Sequence, residues 1–150
     1  PNGHFLFYGA VPAAGMILVN DKNEMVLVLR RIEPGKGLLT LPGGFCDYGE
    51  LYEQAVKREV KEEIGLDPSD YGEVNYLGNA VHNYVYEGEA RLVMAVILWA
   101  RVKGDPTLIP GDDAESAKFY ALDDIRDEEL FLKEHRYYID LIREKLKTAE

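Results

Sequence analysis

The chain has 150 residues, of which 47% are hydrophobic and 29% charged, a balance that predicts one compact domain over residues 1–150 and excludes a disordered chain. Acidic residues outnumber basic ones by 27 to 17, and the net charge of −10 leaves no basic surplus for non-specific binding to nucleic acid or anionic lipid. We therefore expect no nucleic acid partner and no membrane partner, and cations would have to mediate the binding of any phosphorylated ligand.

Cys46 is the only cysteine in the sequence. A single thiol excludes an internal disulfide and a cysteine-based zinc site and is typical of a reducing compartment, so we expect a cytoplasmic protein. We interpret Cys46 as a small packing residue, because no partner signature of a nucleophile surrounds it. The apolar run "LVMAVILWA", residues 92–100, is far shorter than the roughly 20 residues that cross a bilayer and predicts a buried strand.

Predicted strands and helices alternate along the chain. Two β-rich runs, residues 12–19 and 24–32, flank a polar turn and predict neighbouring strands. A loop rich in glycine and proline follows from Pro34 to Gly44, and a predicted helix over residues 52–65 ends at Gly65. The remaining predicted elements are strands over residues 74–86, 90–102 and 117–122 and a helix over residues 133–147. This order predicts an α/β fold with one mixed sheet flanked by helices.

The helix over residues 52–65 concentrates negative charge on one side. Glu59, Glu62 and Glu63 fall within an arc of about 100°, and like charges three or four residues apart on a helix repel each other. We expect the small Ala55, on the same side, to leave room for a ligand. Clustered carboxylates beside open space suit Mg²⁺ or Mn²⁺, and such an ion would offset the repulsion.

A solvated helix face is the alternative interpretation of these residues. Lys57, Arg58 and Lys61 could screen the glutamates, since charge-rich faces are common on helices. The residues on either side of the glutamates favour the metal site instead, because they complete a longer pattern.

That pattern runs over residues 44–66, "GFCDYGELYEQAVKREVKEEIGL", with the spacing G-x5-E-x7-R-E-V-x-E-E-x-G-L. Seven of these positions, each at a base rate of about 7%, would coincide by chance on the order of once in 10⁸ starting positions. They are Gly44, Glu50, Arg58, Glu59, Glu62, Glu63 and Gly65. The pattern is the complete signature of the Nudix hydrolase family, which this chain resembles. The likeness is strongest over residues 10–66, where two strands, an arginine pair and an L-P-G-G loop lead into the signature.

The resemblance implies a Nudix-type α/β/α sandwich with a mixed central sheet, and metal-dependent hydrolysis of a diphosphate linkage. It implies metal roles for Glu59, Glu62 and Glu63, with Gly44 lending a backbone carbonyl and Mg²⁺ or Mn²⁺ as the cofactor. Metal ions held by carboxylates neutralise phosphate oxygens and acidify an attacking water, which is the help that a stable diphosphate linkage needs.

Two further pairs of residues receive supporting roles. The resemblance implies that Glu50 and Arg58 hold the loop and the helix together. Arg30 and Arg31 end a predicted strand beside the glycine loop, and a guanidinium suits a phosphate. Alternation along a strand allows only one of the two arginines to point inward, and a surface position is the alternative for each.

One carboxylate must act as the general base, and the sequence leaves its identity open. We expect it among Glu59 and Glu62 within the signature. Asp112, Asp113 and Glu115 are alternatives, on the loop predicted before residues 117–122, because family members often carry an additional acid there.

The run "HNYVYEG" supplies His82, Tyr84 and Tyr86. These side chains could stack on a base or line a homodimer contact. Ordinary packing is the alternative, since the chain has 10 tyrosines.

The loops are similar to those of Nudix proteins that act on dinucleotides such as NADH or ADP-ribose. The four-cysteine zinc ribbon of such proteins is absent, and Leu39 and Thr40 stand where their loop often carries tryptophan. We expect a small-molecule nucleotide substrate, namely a dinucleotide, an ADP-ribose-like compound or a nucleotide sugar, cleaved to a nucleoside monophosphate and a phosphorylated product. The alternatives are a house-cleaning nucleoside triphosphate pyrophosphatase and a non-catalytic module that senses a nucleotide.

Overall fold

The computed structural model describes residues 9–111 and 113–148, with the backbone but not the side chain of Tyr86. The strands in it are β1 (Val11–Val19), β2 (Glu24–Arg30), β3 (Leu39–Thr40), β4 (Gly43–Phe45), β5 (Asn75–Tyr86), β6 (Glu89–Arg101) and β7 (Ala114–Ala121). The helices are α1 (Tyr52–Ile64) and α2 (His135–Lys147), with short 3-10 turns at Pro68–Asp70 and Asp127–Glu129. Neither α1 nor α2 combines the length and the apolar content that a membrane crossing requires.

The strands form one mixed sheet. Its main path is β3–β2–β1–β6–β5, while β4 pairs with β1 and β7 pairs with β2. The pairing of β1 with β6 is parallel and the others are antiparallel. Strands β1 and β2 pair at Val19 and Met25, whereas β1 pairs with β4 over Ala13, Ala14 and Gly15. Strand β4 therefore lies against the central strand β1, where its glycines can meet α1.

The two helices cover opposite faces of the sheet. Helix α1 buries Val56, Val60 and Ile64 in one apolar cluster, and α2 buries Tyr138 and Ile139 in the other. Each helix keeps one apolar stripe against the sheet, as the 3.6-residue period requires. The predicted α/β/α sandwich with a mixed sheet is confirmed.

Several sequence predictions need correction. The loop predicted from Pro34 to Gly44 contains strand β3 and the start of β4. Ala55 is fully buried in the cluster beneath α1, so it leaves no room for a ligand. Glu115 lies within β7 rather than on the loop before it, and its side chain is exposed. The predicted cap at Gly65 is confirmed, with φ of 76° in the left-handed region and its N–H on Lys61 O.

The segment before β7 runs along the C-terminal end of α1. Backbone N–H groups of Ile109 and Gly111 donate to the carbonyls of Ile64 and Glu63, each at 2.9 Å. These bonds satisfy carbonyls that the end of a helix leaves without partners. A Cβ atom on Gly111 would lie 2.1 Å from Glu62 O, so only glycine allows this approach. The segment thereby places Asp113 beside the acidic side of α1.

We predict that Gly111→Ala separates this segment from α1. The added methyl group cannot fit against Glu62 O, so the unfolding free energy should fall by about 1–3 kcal/mol, as for other overpacked sites. Thermal and urea melts measure the loss. Gly72→Ala is the matched control, because the nearest atom to its added Cβ, Arg101 O, would lie at 3.7 Å. Equal melting temperatures for the two variants would contradict the proposed tight approach.

Candidate active site

Two adjacent glycines bring strand β4 into contact with the glutamates of α1. A Cβ on Gly44 would lie 2.6 Å from Glu59 Oε1, so a side chain at this position would displace the carboxylate. The N–H of Gly43 donates to Glu63 Oε2 at 2.8 Å. A Cβ on Gly43 would also lie 2.2 Å from Ala14 O. The Gly43–Gly44 pair therefore lets the carboxylates of Glu59 and Glu63 lie directly against the main chain of β4.

Arg58 lies at the centre of the ionic contacts. Its Nε and Nη2 donate to the two oxygens of Glu50, each at 2.9 Å, and Nη2 also donates to Phe45 O at 3.1 Å. Its Nη1 donates to Glu59 at 2.8 Å and to Glu62 at 3.3 Å. This fork joins Glu50, in the loop before α1, to strand β4 and to helix α1 itself.

The pKa of Glu50 shows how strongly this contact favours the ionised pair. Hydrogen bonds from Arg58, followed by one from the N–H of Asp47, lower the pKa of Glu50 to about 2. The hydrogen bond with Glu50 in turn raises the pKa of Arg58. Both groups therefore stay charged across the physiological range.

The lysines of α1 do not screen the site glutamates. Lys57 pairs with Glu53 at 2.5 Å, and Lys61 pairs with Asp67 at 2.6 Å. Of the three cations in the alternative interpretation, Arg58 alone contacts Glu59 and Glu62. The acidic side of α1 is thus only partly compensated within the described part of the chain.

The glutamates open into an acidic depression lined by Glu59, Glu62, Glu63, Gly111 and Asp113. Burial, reinforced by the charge of Glu59 and opposed by the Gly43 N–H, raises the pKa of Glu63 to about 8. Burial also raises the pKa of Glu59, against the opposing effect of Arg58. The depression therefore holds carboxylates whose ionisation is disfavoured until a cation approaches.

The donor set fits a hard divalent cation. Carboxylate and carbonyl oxygens are the ligands of Mg²⁺ and Mn²⁺, and an ion would offset the cost of ionising the buried carboxylates. Across residues 9–111 and 113–148, no three side chains of the His, Cys, Asp or Glu type already surround a common point as ligands. Instead, Arg58 holds Glu59 and Glu62, while the Gly43 N–H holds Glu63.

A cavity of about 470 Å³ extends from Glu59, Glu63 and Asp113 across the sheet. Arg30 lines it between the carboxylates and Phe131, with the guanidinium carbon 4.5 Å from the Phe131 ring centroid. The Nε of Arg30 donates to Pro34 O at 2.7 Å. The volume lies within the range of about 300–1,000 Å³ that is typical of ligand pockets.

Other residues that the sequence singled out either do not line this cavity or lie outside the described part of the chain. The side chain of Arg31 is exposed, and its backbone N–H donates to Asp113 O at 2.9 Å. Asp112 lies outside the described residues, as does the side chain of Tyr86. Cys46 is half-buried at the margin of the α1 cluster, as a packing residue would be.

Aromatic and imidazole side chains line the far part of the cavity. Tyr84 meets Phe45 and Phe131 edge to face, with ring centroids 5.5 and 6.3 Å apart, and His82 lies nearby. Sequence reasoning missed Phe131 and His135, which also line the cavity. They precede or begin α2, about a hundred residues from Arg30, and no local pattern connects such distant positions.

Comparison with known proteins agrees with this geometry. The family model described as NUDIX domain matches residues 9–142 of the chain. The chain belongs to the NUDIX domain family. A protein of Methanocaldococcus jannaschii named ADP-ribose pyrophosphatase is 33% identical to it over 108 residues, which cover 72% of this chain and 60% of that protein.

Solved NUDIX structures share the fold. The NUDIX domain of Shewanella oneidensis NrtR, complexed with ADP ribose, gives a TM-score of 0.76 at 24% identity and covers 93% of this chain and 90% of that chain. A bifunctional NMN adenylyltransferase/ADP ribose pyrophosphatase from Francisella tularensis, complexed with AMP and a Mn ion, gives a TM-score of 0.68 at 26% identity. The match covers 93% of this chain and 42% of that chain.

We predict that Glu63 makes the stability of this NUDIX protein depend on pH. Because burial raises the folded pKa of Glu63 from 4.5 to about 8, the neutral carboxyl stabilises the fold at low pH, and this contribution is lost between these two values as the pH rises. In EDTA, the melting temperature of Glu63→Gln relative to wild type should therefore increase from pH 5 to pH 8. Added Mg²⁺ should reduce this difference.

Glu53→Gln is the control, since Glu53 lies on the exposed side of α1 and pairs only with Lys57 among the described residues. A pH profile of Glu63→Gln that runs parallel to wild type would contradict the prediction.

Proposed function

We propose that the protein hydrolyses the diphosphate linkage of a nucleoside diphosphate derivative, with ADP-ribose, a dinucleotide or a nucleotide sugar as the substrate class. The products would be a nucleoside monophosphate and a phosphorylated second product. The observation that carries the proposal is the joining of the acidic depression to a cavity that contains Arg30 and continues over the sheet. The name of the M. jannaschii relative supports the substrate class.

The proposed cofactor is Mg²⁺ or Mn²⁺. Glu59, Glu62, Glu63 and Asp113 would hold it, together with the backbone carbonyl of Gly44. When bound, such an ion supplies positive charge to the diphosphate oxygens and lowers the pKa of a bound water. The Mn ion in the F. tularensis complex supports the choice of metal.

Glu59 is the residue that we propose as general base. It lines both the acidic depression and the cavity, whereas Glu62 lines only the depression. The Nη1 of Arg58, at 2.8 Å, fixes the position of this carboxylate.

Arg30 is the proposed contact for the substrate phosphates. It lines the cavity beside Glu63, and its positive charge opposes the rise in the pKa of that carboxyl. The bond to Pro34 and the stacking on Phe131 hold the guanidinium in place. A guanidinium presents several N–H donors in a fixed plane, which suits phosphate oxygens.

A substrate panel tests the proposal. The protein is incubated with Mg²⁺ or Mn²⁺ and with ADP-ribose, NADH, FAD, diadenosine polyphosphates, nucleotide sugars and nucleoside triphosphates, and products are separated by chromatography. We predict cleavage within the diphosphate, release of a nucleoside monophosphate and faster turnover of dinucleotide-type substrates than of triphosphates. Glu59→Gln should reduce turnover at least a hundredfold, about 3 kcal/mol in activation free energy, while the control Glu53→Gln stays near wild type.

Each alternative function has a distinct outcome. Faster turnover of triphosphates would favour the house-cleaning pyrophosphatase. Tight binding without turnover under either metal would favour the nucleotide-sensing module and overturn the proposed hydrolysis.

A further inference from the structure

The floor of the cavity contains a row of three alanines on neighbouring strands. Ala13 of β1 lies opposite Ala95 of β6, and Ala95 lies opposite Ala80 of β5. All three line the cavity. The three alanines are small and nearly buried. Two strand spacings amount to about 10 Å, so the row places methyl groups across a width comparable to that of a planar ring system.

Two imidazoles border this floor and lack hydrogen-bond partners for one nitrogen each. His135 is only 6% exposed, and its Nδ1 is buried without a partner among the described residues. The Nδ1 of His82 is also buried and unpartnered there. Both side chains line the cavity. A polar ligand atom that reached either nitrogen after a small rotation of the ring would supply the missing partner.

The two rings lie close enough to affect each other electrostatically. Burial, with a smaller contribution from His82, lowers the pKa of His135 to about 3. His135 therefore stays neutral at physiological pH. A neutral imidazole has one donor and one acceptor nitrogen, so it can pair with either kind of group on a ligand.

We propose that this alanine floor and the imidazoles of His82 and His135 form a subsite for the nucleobase of the substrate. The assignment rests on the proposed function and names the part of the substrate that lies away from the diphosphate. His82 and His135 are the specificity-determining residues in it, because they hydrogen-bond the polar edge of the base.

A base fits this subsite better than a second sugar does. A base has apolar faces, which can lie on the alanine methyl groups, and a polar edge, which can meet the imidazoles. A sugar carries hydroxyl groups around its ring, and those over the alanines would be desolvated without partners, at a cost of about 1–3 kcal/mol each. The other side chains that line the cavity include the apolar Val93, Phe131 and Leu132, together with Tyr84 and Glu134.

NMR of the wild-type protein tests the subsite without relying on catalysis. Alanine methyl groups, histidine imidazoles and the amides of Gly43 and Gly44 serve as probes at the two ends of the cavity. AMP, a monophosphate that the proposed reaction would release, is titrated in EDTA and in Mg²⁺, and ribose 5-phosphate is titrated in parallel. AMP should shift the signals of Ala80, Ala95, His82 and His135, whereas ribose 5-phosphate should shift only the glycine amides.

Variants check the same assignment by affinity. Ala95→Leu fills the floor and should weaken AMP binding at least tenfold while leaving ribose 5-phosphate unchanged. Met94→Leu is the control, because Met94 is exposed, on the other side of the same strand. His82→Leu and His135→Leu should each weaken AMP binding about two- to tenfold, which is the affinity that one hydrogen bond typically contributes.

The proposed nucleobase subsite is contradicted if AMP shifts the signals of the glycine amides but not those of the alanines and histidines. It is equally overturned if ribose 5-phosphate shifts those signals as much as AMP does, or if AMP shifts no cavity signal at all. Failure of the proposed hydrolysis has a different signature, since AMP would then shift the predicted signals while the substrate panel shows no products.

Discussion

The contacts between Arg58 and four carboxylates hold the candidate site together. One guanidinium pairs with Asp47, Glu50, Glu59 and Glu62, so a single positive charge faces four negative ones. The bidentate bond to Glu50 uses the planar fork that arginine offers and lysine lacks. Glu63 contacts a backbone N–H rather than this cation, and burial raises its pKa to about 8. Negative charge therefore exceeds positive charge around Arg58, and this excess is the physical basis of the proposed metal site.

Backbone geometry makes this charge arrangement possible. Strand β4 lies against β1, and its two glycines allow the carboxylates of α1 to approach main-chain atoms directly. The segment that ends at Gly111 closes the other side of the depression. Glycine at positions 43, 44 and 111 is therefore required by close contacts, and at position 43 also by a backbone φ of 148°. The same arrangement leaves the cavity open towards the far strands β5 and β6.

Local pattern was sufficient to predict most elements and to indicate the acidic side of α1. The period of α1 separated its valines from its glutamates, and the spacing from Gly44 to Leu66 indicated the family. The placement of Ala55 was wrong, because a helix has no sharp boundary between its apolar and acidic sides, and one small residue can belong to either. The strands within residues 34–44 are too short to produce an alternating pattern.

The parts of the site that the sequence did not predict depend on contacts between distant segments. Phe131 and His135 line the cavity only because α2 packs against one face of the sheet, where side chains of β5 and β6 belong to the same apolar cluster. The choice between Arg30 and Arg31 depended on where β2 ends, which alternation alone does not specify. The expected cytoplasmic location, the homodimer and the absence of a nucleic acid partner stay predictions.

The central claim is that the glutamates of α1 bind a divalent cation, and Mn²⁺ titration followed by electron paramagnetic resonance tests it most directly. Free aqueous Mn²⁺ gives a strong signal that falls when the ion is bound. Wild-type protein and Glu53→Gln should remove the signal to the same extent, while Glu59→Gln and Glu63→Gln should each weaken Mn²⁺ binding at least tenfold. Equal binding by all four proteins, or no binding by wild type, would contradict the account.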